Sequence, residues 1–211
     1  MGDLFQSINE GLLDHGEGLY QLKHFARSDQ LIPIIEGLSG ISPFRQMMTP
    51  MGHPTQVSML NCGPYGWVSN ESGYGYSAID PITQRPWPQM PSEFRQICNQ
   101  VIERIGLEEF QPDACLINRY EIGMAMGRHL DKDEKDFSQP IVSISLGLPA
   151  VFQVFGQHRS GKAKEFLLES GDVFVMSGNS RRFYHGIKPV KANPLAPNET
   201  LRYNLTFRKS H

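Results

Sequence analysis

The 211-residue sequence predicts a mainly β, α+β fold: an antiparallel sandwich or jelly roll with helices outside it. Three observations predict this. Residues 113–208 hold seven short runs dense in β-branched and aromatic residues, divided by Gly-, Pro- and Asn-rich turns. No helix-length pattern alternates with those runs, which disfavours a doubly wound parallel sheet. The two helical patterns that do occur lie before them in the chain.

Taken in order, residues 1–41 read as an N-terminal extension with one amphipathic helix. Ser28 precedes Leu31, Ile34, Ile35 and Leu38, and the pattern stops near Gly40. Pro33 stands late for a first-turn proline, so the start of that helix is open. Residues 42–91 hold eight prolines and both tryptophans without clear periodicity. So long an irregular stretch is usually a functional lid or a set of irregular hairpins, and its aromatic content argues against disorder. Ser92 is read as the cap of a second helix over 92–106. Its stripe is Phe94, Ile97, Cys98, Val101, Ile102 and Ile105, and Gly106 ends it. The strand candidates are 114–120, 141–148, 151–155, 165–168, 172–176, 183–187 and 201–208. The whole reads as a single domain.

Composition narrows the function. Lys plus Arg number 20 against 22 Asp plus Glu, a net charge of −2, so the chain cannot grip nucleic acid by bulk charge. The three cysteines form no CxxC pair, which fits a reducing compartment. No apolar run spans a membrane, and residues 1–10 resemble no signal peptide. A cytoplasmic protein, not membrane-bound, is expected.

Three clusters can carry chemistry. On a strand over 201–208, Tyr203, Leu205 and Phe207 share one face, and Arg202, Asn204, Thr206 and Arg208 share the other. That polar face either meets water or lines a cavity for an acid, which an arginine fork matches better than lysine does. His129-Leu130-Asp131 places two ligand types on one face of an extended segment. With a distant second histidine this is the form of the two-histidine, one-carboxylate triad of non-haem Fe(II). His185 is the best second histidine and His158 the alternative. Taken alone, His-x-Asp is common, and residues 131–134 also read as a solvated charged loop. Asn118 and Tyr120 share a third face, beside the same anion or on a polar strand edge. GxGxxG, P-loop, GxSxG and HExxH motifs are absent.

Together and in this order, Asn118-x-Tyr120, His129-x-Asp131, His185 and Arg202-x-Asn204-x-Thr206-x-Arg208 resemble the AlkB family of Fe(II)- and 2-oxoglutarate-dependent dioxygenases. Residues 42–47 (Ser-Pro-Phe-Arg-Gln-Met), Pro86-Trp87-Pro88, residues 110–120 and residues 145–150 (Ser-Leu-Gly-Leu-Pro-Ala) resemble its bacterial branch. The resemblance covers roughly residues 43–208 and implies a double-stranded β-helix, a jelly-roll variant, over 113–208. It implies Fe(II) on His129, Asp131 and His185. It implies 2-oxoglutarate on Arg202, with Asn118, Tyr120, Asn204 and Arg208 completing that pocket and Arg208 also bracing Asp131. Residues 42–91 become a nucleotide-recognition lid. Trp67 and Tyr74 would pack around the base, with Met59 nearby. Asp133 would attract a cationic ring, with Glu134 close by, and Thr49, Lys132 and Arg159 would contact backbone or base.

The implied reaction uses O2 to demethylate 1-methyladenine or 3-methylcytosine in single- or double-stranded DNA, with RNA as a further candidate. It releases formaldehyde, succinate and CO2 and amounts to direct-reversal DNA repair. A monomer is expected. Both lesions carry positive charge and have lost a base pair, which lowers the cost of flipping and favours a carboxylate and aromatic faces. One alternative is a 2-oxoglutarate oxygenase acting on a protein or small molecule. The other is a non-catalytic jelly-roll binding module.

Overall fold

The computed structural model describes residues 11–71 and 73–211. Residues 1–10, read above for a signal peptide, lie outside the described residues. In chain order the elements are β1 (Leu12–Asp14), β2 (Leu19–Leu22), α1 (Ser28–Ile41), β3 (Ser58–Cys62), β4 (Gly66–Asn70), β5 (Gly73–Ser77), α2 (Ser92–Ile105), β6 (Ala114–Glu121), β7 (Met126–His129), β8 (Ile141–Gly147), β9 (Ala150–Gly156), β10 (Lys164–Leu168), β11 (Val173–Met176), β12 (Tyr184–Ile187) and β13 (Leu201–Arg208). A seven-stranded sheet runs β1-β2-β11-β8-β13-β6-β3, and a four-stranded sheet runs β10-β9-β12-β7. Strands within both pair antiparallel, and β4 and β5 form a separate hairpin. This is the jelly roll that the strand-rich second half predicts.

Alternation along the central strands sets what each face does. On β13, Tyr203, Leu205 and Phe207 pack with Leu31 and Ile35 of α1 and with Phe94 and Val101 of α2. Phe94 meets Phe207 edge-on, with ring centroids 5.7 Å apart. Ile117 of β6 and Val142, Ile144 and Leu146 of β8 join the same core. Burial of each large side chain there contributes about 1.5–3 kcal/mol. The opposite face of these strands looks toward the four-stranded sheet, so Arg202, Asn204, Thr206 and Arg208 are buried rather than solvated. Among the described residues no helix is long and apolar enough to cross a membrane.

Several local expectations change. Ser92 does not cap α2: Pro91 holds the cap position, and the Ser92 hydroxyl donates to its neighbour Glu93. Gly106 does end that helix in the left-handed region, φ 69°, and Leu107 N–H reaches the Ile102 carbonyl. Residues 42–91 contain both a strand of the main sheet, β3, and the β4–β5 hairpin. The three cysteines are free and buried.

Gly147 ends β8 with φ +77°, and a Cβ there would lie 2.4 Å from the Leu201 carbonyl oxygen. Backbone strain and overpacking act together, so Gly147→Ala is expected to cost about 3 kcal/mol. Thermal unfolding should then shift down by roughly 6–12 °C for a chain of this size. An unchanged Tm would contradict the close approach.

Candidate active site

Register between strands assembles the site. Arg202 pairs with Tyr120 on β6 and Gly147 on β8, and Asn204 with Asn118 and Ser145. In the other sheet His185 of β12 stands opposite His129 of β7. Asp131 follows His129 by two residues on an extended segment, so it returns to the same side. Between the sheets lies a cavity of about 850 Å³. Its walls include all fifteen residues singled out in the sequence for metal, 2-oxoglutarate and base.

At its centre the ligand atoms of His129, Asp131 and His185 all lie within 4.8 Å of one another. Nε2 of His129 is 3.8 Å from Asp131 Oδ1, and Nε2 of His185 is 3.6 Å from Asp131 Oδ2. Each imidazole Nδ1 is tied to a backbone carbonyl two residues earlier, His129 to Gly127 at 2.9 Å and His185 to Phe183 at 3.0 Å. Those bonds place the proton on Nδ1 and turn both Nε2 lone pairs inward. Two imidazoles and one carboxylate on one side suit a first-row divalent ion and leave positions for other ligands. His158 is exposed in the loop after β9, so His185 is the second histidine of the cluster.

Electrostatics keeps the donors ready. Burial pushes the His185 pKa down to about 4, and neighbouring His129 adds to the effect, so the ring is neutral above that pH. Burial would raise Asp131, but Arg208 and the two histidines outweigh it and hold the carboxyl well below the usual carboxylate range. Because His185 titrates lower folded than its ordinary 6.5, the unfolded chain takes up the proton first as pH falls. The metal-free protein should lose about 3 kcal/mol between about pH 6.5 and 4. Asp131, ionised above the usual carboxylate range in both states, extends the loss to lower pH. Urea unfolding in chelator at pH 7 and pH 4.5 measures this; equal midpoints would contradict it.

Arg202 defines one end of the cavity. Its side chain is fully buried, and Nη2 donates to Ser145 Oγ at 3.1 Å. Nε and Nη1 have no hydrogen-bond partner among the described residues. A buried guanidinium with half its fork unmet fits a carboxylate ligand. Burial raises the Tyr120 phenol, with Arg202 partly opposing, so it stays a donor. Asn118 is buried with Oδ1 unmet among the described residues. Asn204 is different: Nδ2 donates to Ser143 Oγ at 2.7 Å and its Oδ1 accepts from Thr206, so it shapes the wall.

The other end is aromatic. Trp67 and Tyr74 of the β4–β5 hairpin stack with centroids 5.5 Å apart and planes 14° from parallel. Trp67 Nε1 donates to Asp133 Oδ2 at 2.8 Å, fixing that carboxylate at the cavity wall. Met59 packs with Met47 and Leu116, and Trp67 lies against them. Thr49, Lys132 and Arg159 also line the cavity, and Arg128 donates to the Arg159 carbonyl.

Glu134 departs from its expected place near the base. It is buried among protein partners, accepting from Tyr76 Oη at 2.6 Å and facing Arg181 and Arg208. Sequence reasoning also missed Ser143 and Ser145, which sit on the inner face of β8. Alternation from the buried Val142, Ile144 and Leu146 could have found them.

The family model described as the 2OG-Fe(II) oxygenase superfamily matches residues 18–208. The alpha-ketoglutarate-dependent dioxygenase AlkB of Escherichia coli (strain K12) is 48% identical over 212 residues, covering 100% of this chain and 98% of that protein. The dioxygenase AlkB of Salmonella typhimurium is 48% identical over 195 residues, 92% of this chain and 90% of that one. The solved structure of OsALKBH1 superposes with a TM-score of 0.81 at 29% identity, covering 94% of this chain and 99% of that chain. A 2OG-Fe(II) oxygenase uses Fe(II), 2-oxoglutarate and O2, and the triad needed to hold the metal is present here. The chain is an Fe(II)- and 2-oxoglutarate-dependent dioxygenase and belongs to the AlkB family.

Proposed function

We propose that this enzyme removes methyl groups from cationic N-alkylated bases, 1-methyladenine and 3-methylcytosine, in single- or double-stranded DNA and also in RNA. The observation that carries the reading is the Asp133 carboxylate, held by Trp67 Nε1 at the edge of an aromatic pair in the same cavity as the triad. A cationic ring gains from both the carboxylate and the aromatic face, and a neutral base gains less. The parts of residues 42–91 outside β3 act as the recognition lid, and Met59 of β3 forms its apolar floor. Thr49, Lys132 and Arg159 contact the backbone or base from the cavity wall. All these residues belong to one chain, so a monomer suffices, and the free thiols fit the cytoplasm.

His129, Asp131 and His185 would hold Fe(II), and Arg202 would fork onto the distal carboxylate of 2-oxoglutarate. Tyr120 would donate to that acid, while Asn118 and Asn204 bound its slot. Arg208 braces Asp131 from behind, its Nη2 at 2.9 Å from Oδ2. When bound, iron with 2-oxoglutarate and O2 supplies the oxidation that hydroxylates the N-methyl carbon, with release of succinate and CO2. The protein's work is to hold the flipped base by Trp67, Tyr74 and Asp133 with its methyl group toward the triad. The N-hydroxymethyl base then releases formaldehyde and leaves the normal base.

Succinate formation tests the substrate class. A single-stranded oligonucleotide with one 1-methyladenine should stimulate it, and N-methylated peptides should not. Stimulation by peptide alone would overturn the nucleic-acid reading in favour of a protein oxygenase. Trp67→Ala should raise KM for the oligonucleotide about 10-fold or more, since stacking on an aromatic is worth about 1–3 kcal/mol per base. An unchanged KM would remove Trp67 from the base site.

A further inference from the structure

Glu134 stands one residue after the cavity-lining Asp133, yet it turns into the protein. Its side chain is 3% exposed. Oε2 lies 3.3 Å from Nη2 of Arg181, itself 1% exposed and anchored by Nε to the Gln139 carbonyl at 2.8 Å. Oε1 accepts the Tyr76 hydroxyl at 2.6 Å and forms an ion pair with Arg208, 3.3 Å from an Nε that makes no hydrogen bond among the described residues. Arg208 in turn donates from Nη2 to Asp131 Oδ2 at 2.9 Å. Tyr76 belongs to β5, the strand that also carries Tyr74 of the aromatic stack. A line of three polar contacts therefore runs from the recognition hairpin to the carboxylate of the triad.

We infer that Glu134 is a positioning residue: through Arg208 it makes the orientation of Asp131 depend on the docking of the β4–β5 hairpin by Tyr76. The inference rests on the reading of His129, Asp131 and His185 as the metal ligands. Arg181 pins one oxygen of Glu134 to the body of the protein, so the other oxygen is the adjustable end. There the Tyr76 hydroxyl and the Arg208 guanidinium share it. The Tyr76 bond is charge-assisted and directional, whereas the Arg208 contact is an ion pair that the dry surroundings strengthen. Loss of the 2.6 Å bond leaves Oε1 to Arg208 alone and shifts the guanidinium that orients Asp131. Groups that orient a metal ligand typically change metal affinity by about 10–100-fold when removed. The hairpin and the metal thus favour each other, and a docked lid goes with a correctly held ligand.

Co(II), a spectroscopically visible stand-in for Fe(II), tests this without turnover. It is titrated into the full-length wild type, Tyr76→Phe, Glu134→Gln and the double variant, each checked for folding by circular dichroism. Glu134→Gln should weaken Co(II) binding about 10-fold and Tyr76→Phe about threefold, below the usual range because Tyr76 is one link further away. Both should alter the visible absorption of bound Co(II), which a merely structural role would leave unchanged. The double variant should match Glu134→Gln, because Tyr76 acts through Glu134. A folded Tyr76→Phe with wild-type affinity and spectrum would overturn the link, and so would effects that multiply. If Glu134→Gln fails to fold, Tyr76→Phe still decides. Equal Co(II) binding by wild type and His129→Ala would overturn the metal reading itself, and the inference with it.

Discussion

Asp131→Ala abolishes turnover and bound iron together on this account. The carboxylate is the one anionic ligand of the triad, and its oxygens face both histidine Nε2 atoms at 3.6 and 3.8 Å. Two imidazoles alone, with no anionic donor to offset the ion's charge, hold a divalent ion weakly. The change also removes the closer anionic partner of Arg208, although Glu134 remains 3.3 Å from that side chain. Breaking a buried pair costs about 3–5 kcal/mol when the remaining charge is left alone, and the second carboxylate should hold the loss below that. The variant should therefore fold, with a lower unfolding midpoint, and contain no iron by elemental analysis. Retained turnover with stoichiometric iron would remove Asp131 from the site.

Arg202→Ala has the second large effect. The concentration of 2-oxoglutarate for half-maximal turnover should rise about 100-fold, because loss of one partner of a buried charge pair costs about 2–5 kcal/mol. Arg202→Lys should recover only part of this, since an ammonium cannot fork onto a carboxylate. A second readout follows from the same geometry. Nε and Nη1 are buried without a hydrogen-bond partner among the described residues, and burial lowers the pKa of the group. The guanidinium therefore destabilises the ligand-free protein. Arg202→Met should unfold at a higher temperature without ligand and lose the Tm increase that saturating 2-oxoglutarate gives the wild type. Unchanged saturation by 2-oxoglutarate in Arg202→Ala would contradict the carboxylate assignment.

The second half of the chain was legible because its strands are long enough for alternation to show. On β13 the apolar residues Tyr203, Leu205 and Phe207 separate cleanly from the polar ones, and register did the rest. Whether that polar face met water was not legible. That depended on the second sheet lying across it, a contact between residues far apart in sequence. β7 is four residues with a glycine in it, so periodicity passes over it although it carries His129. β1 and β2 are short and joined through Gly16 and Gly18, both at positive φ. Glu134 shows the limit most plainly. Four charges in a row at residues 131–134 look like one solvated loop. The fold instead gives Asp131 to the triad, Lys132 to the cavity wall, Asp133 to the aromatic hairpin and Glu134 to two buried arginines.

Demethylation of a cationic base in this cavity is read from the mass of an oligonucleotide. A single strand carrying one 1-methyladenine is incubated with the protein, Fe(II), ascorbate and 2-oxoglutarate in air, beside His129→Ala. The expected result is loss of one methylene mass that requires both iron and 2-oxoglutarate and is absent with His129→Ala. An unchanged mass while the wild type still turns 2-oxoglutarate into succinate would contradict it.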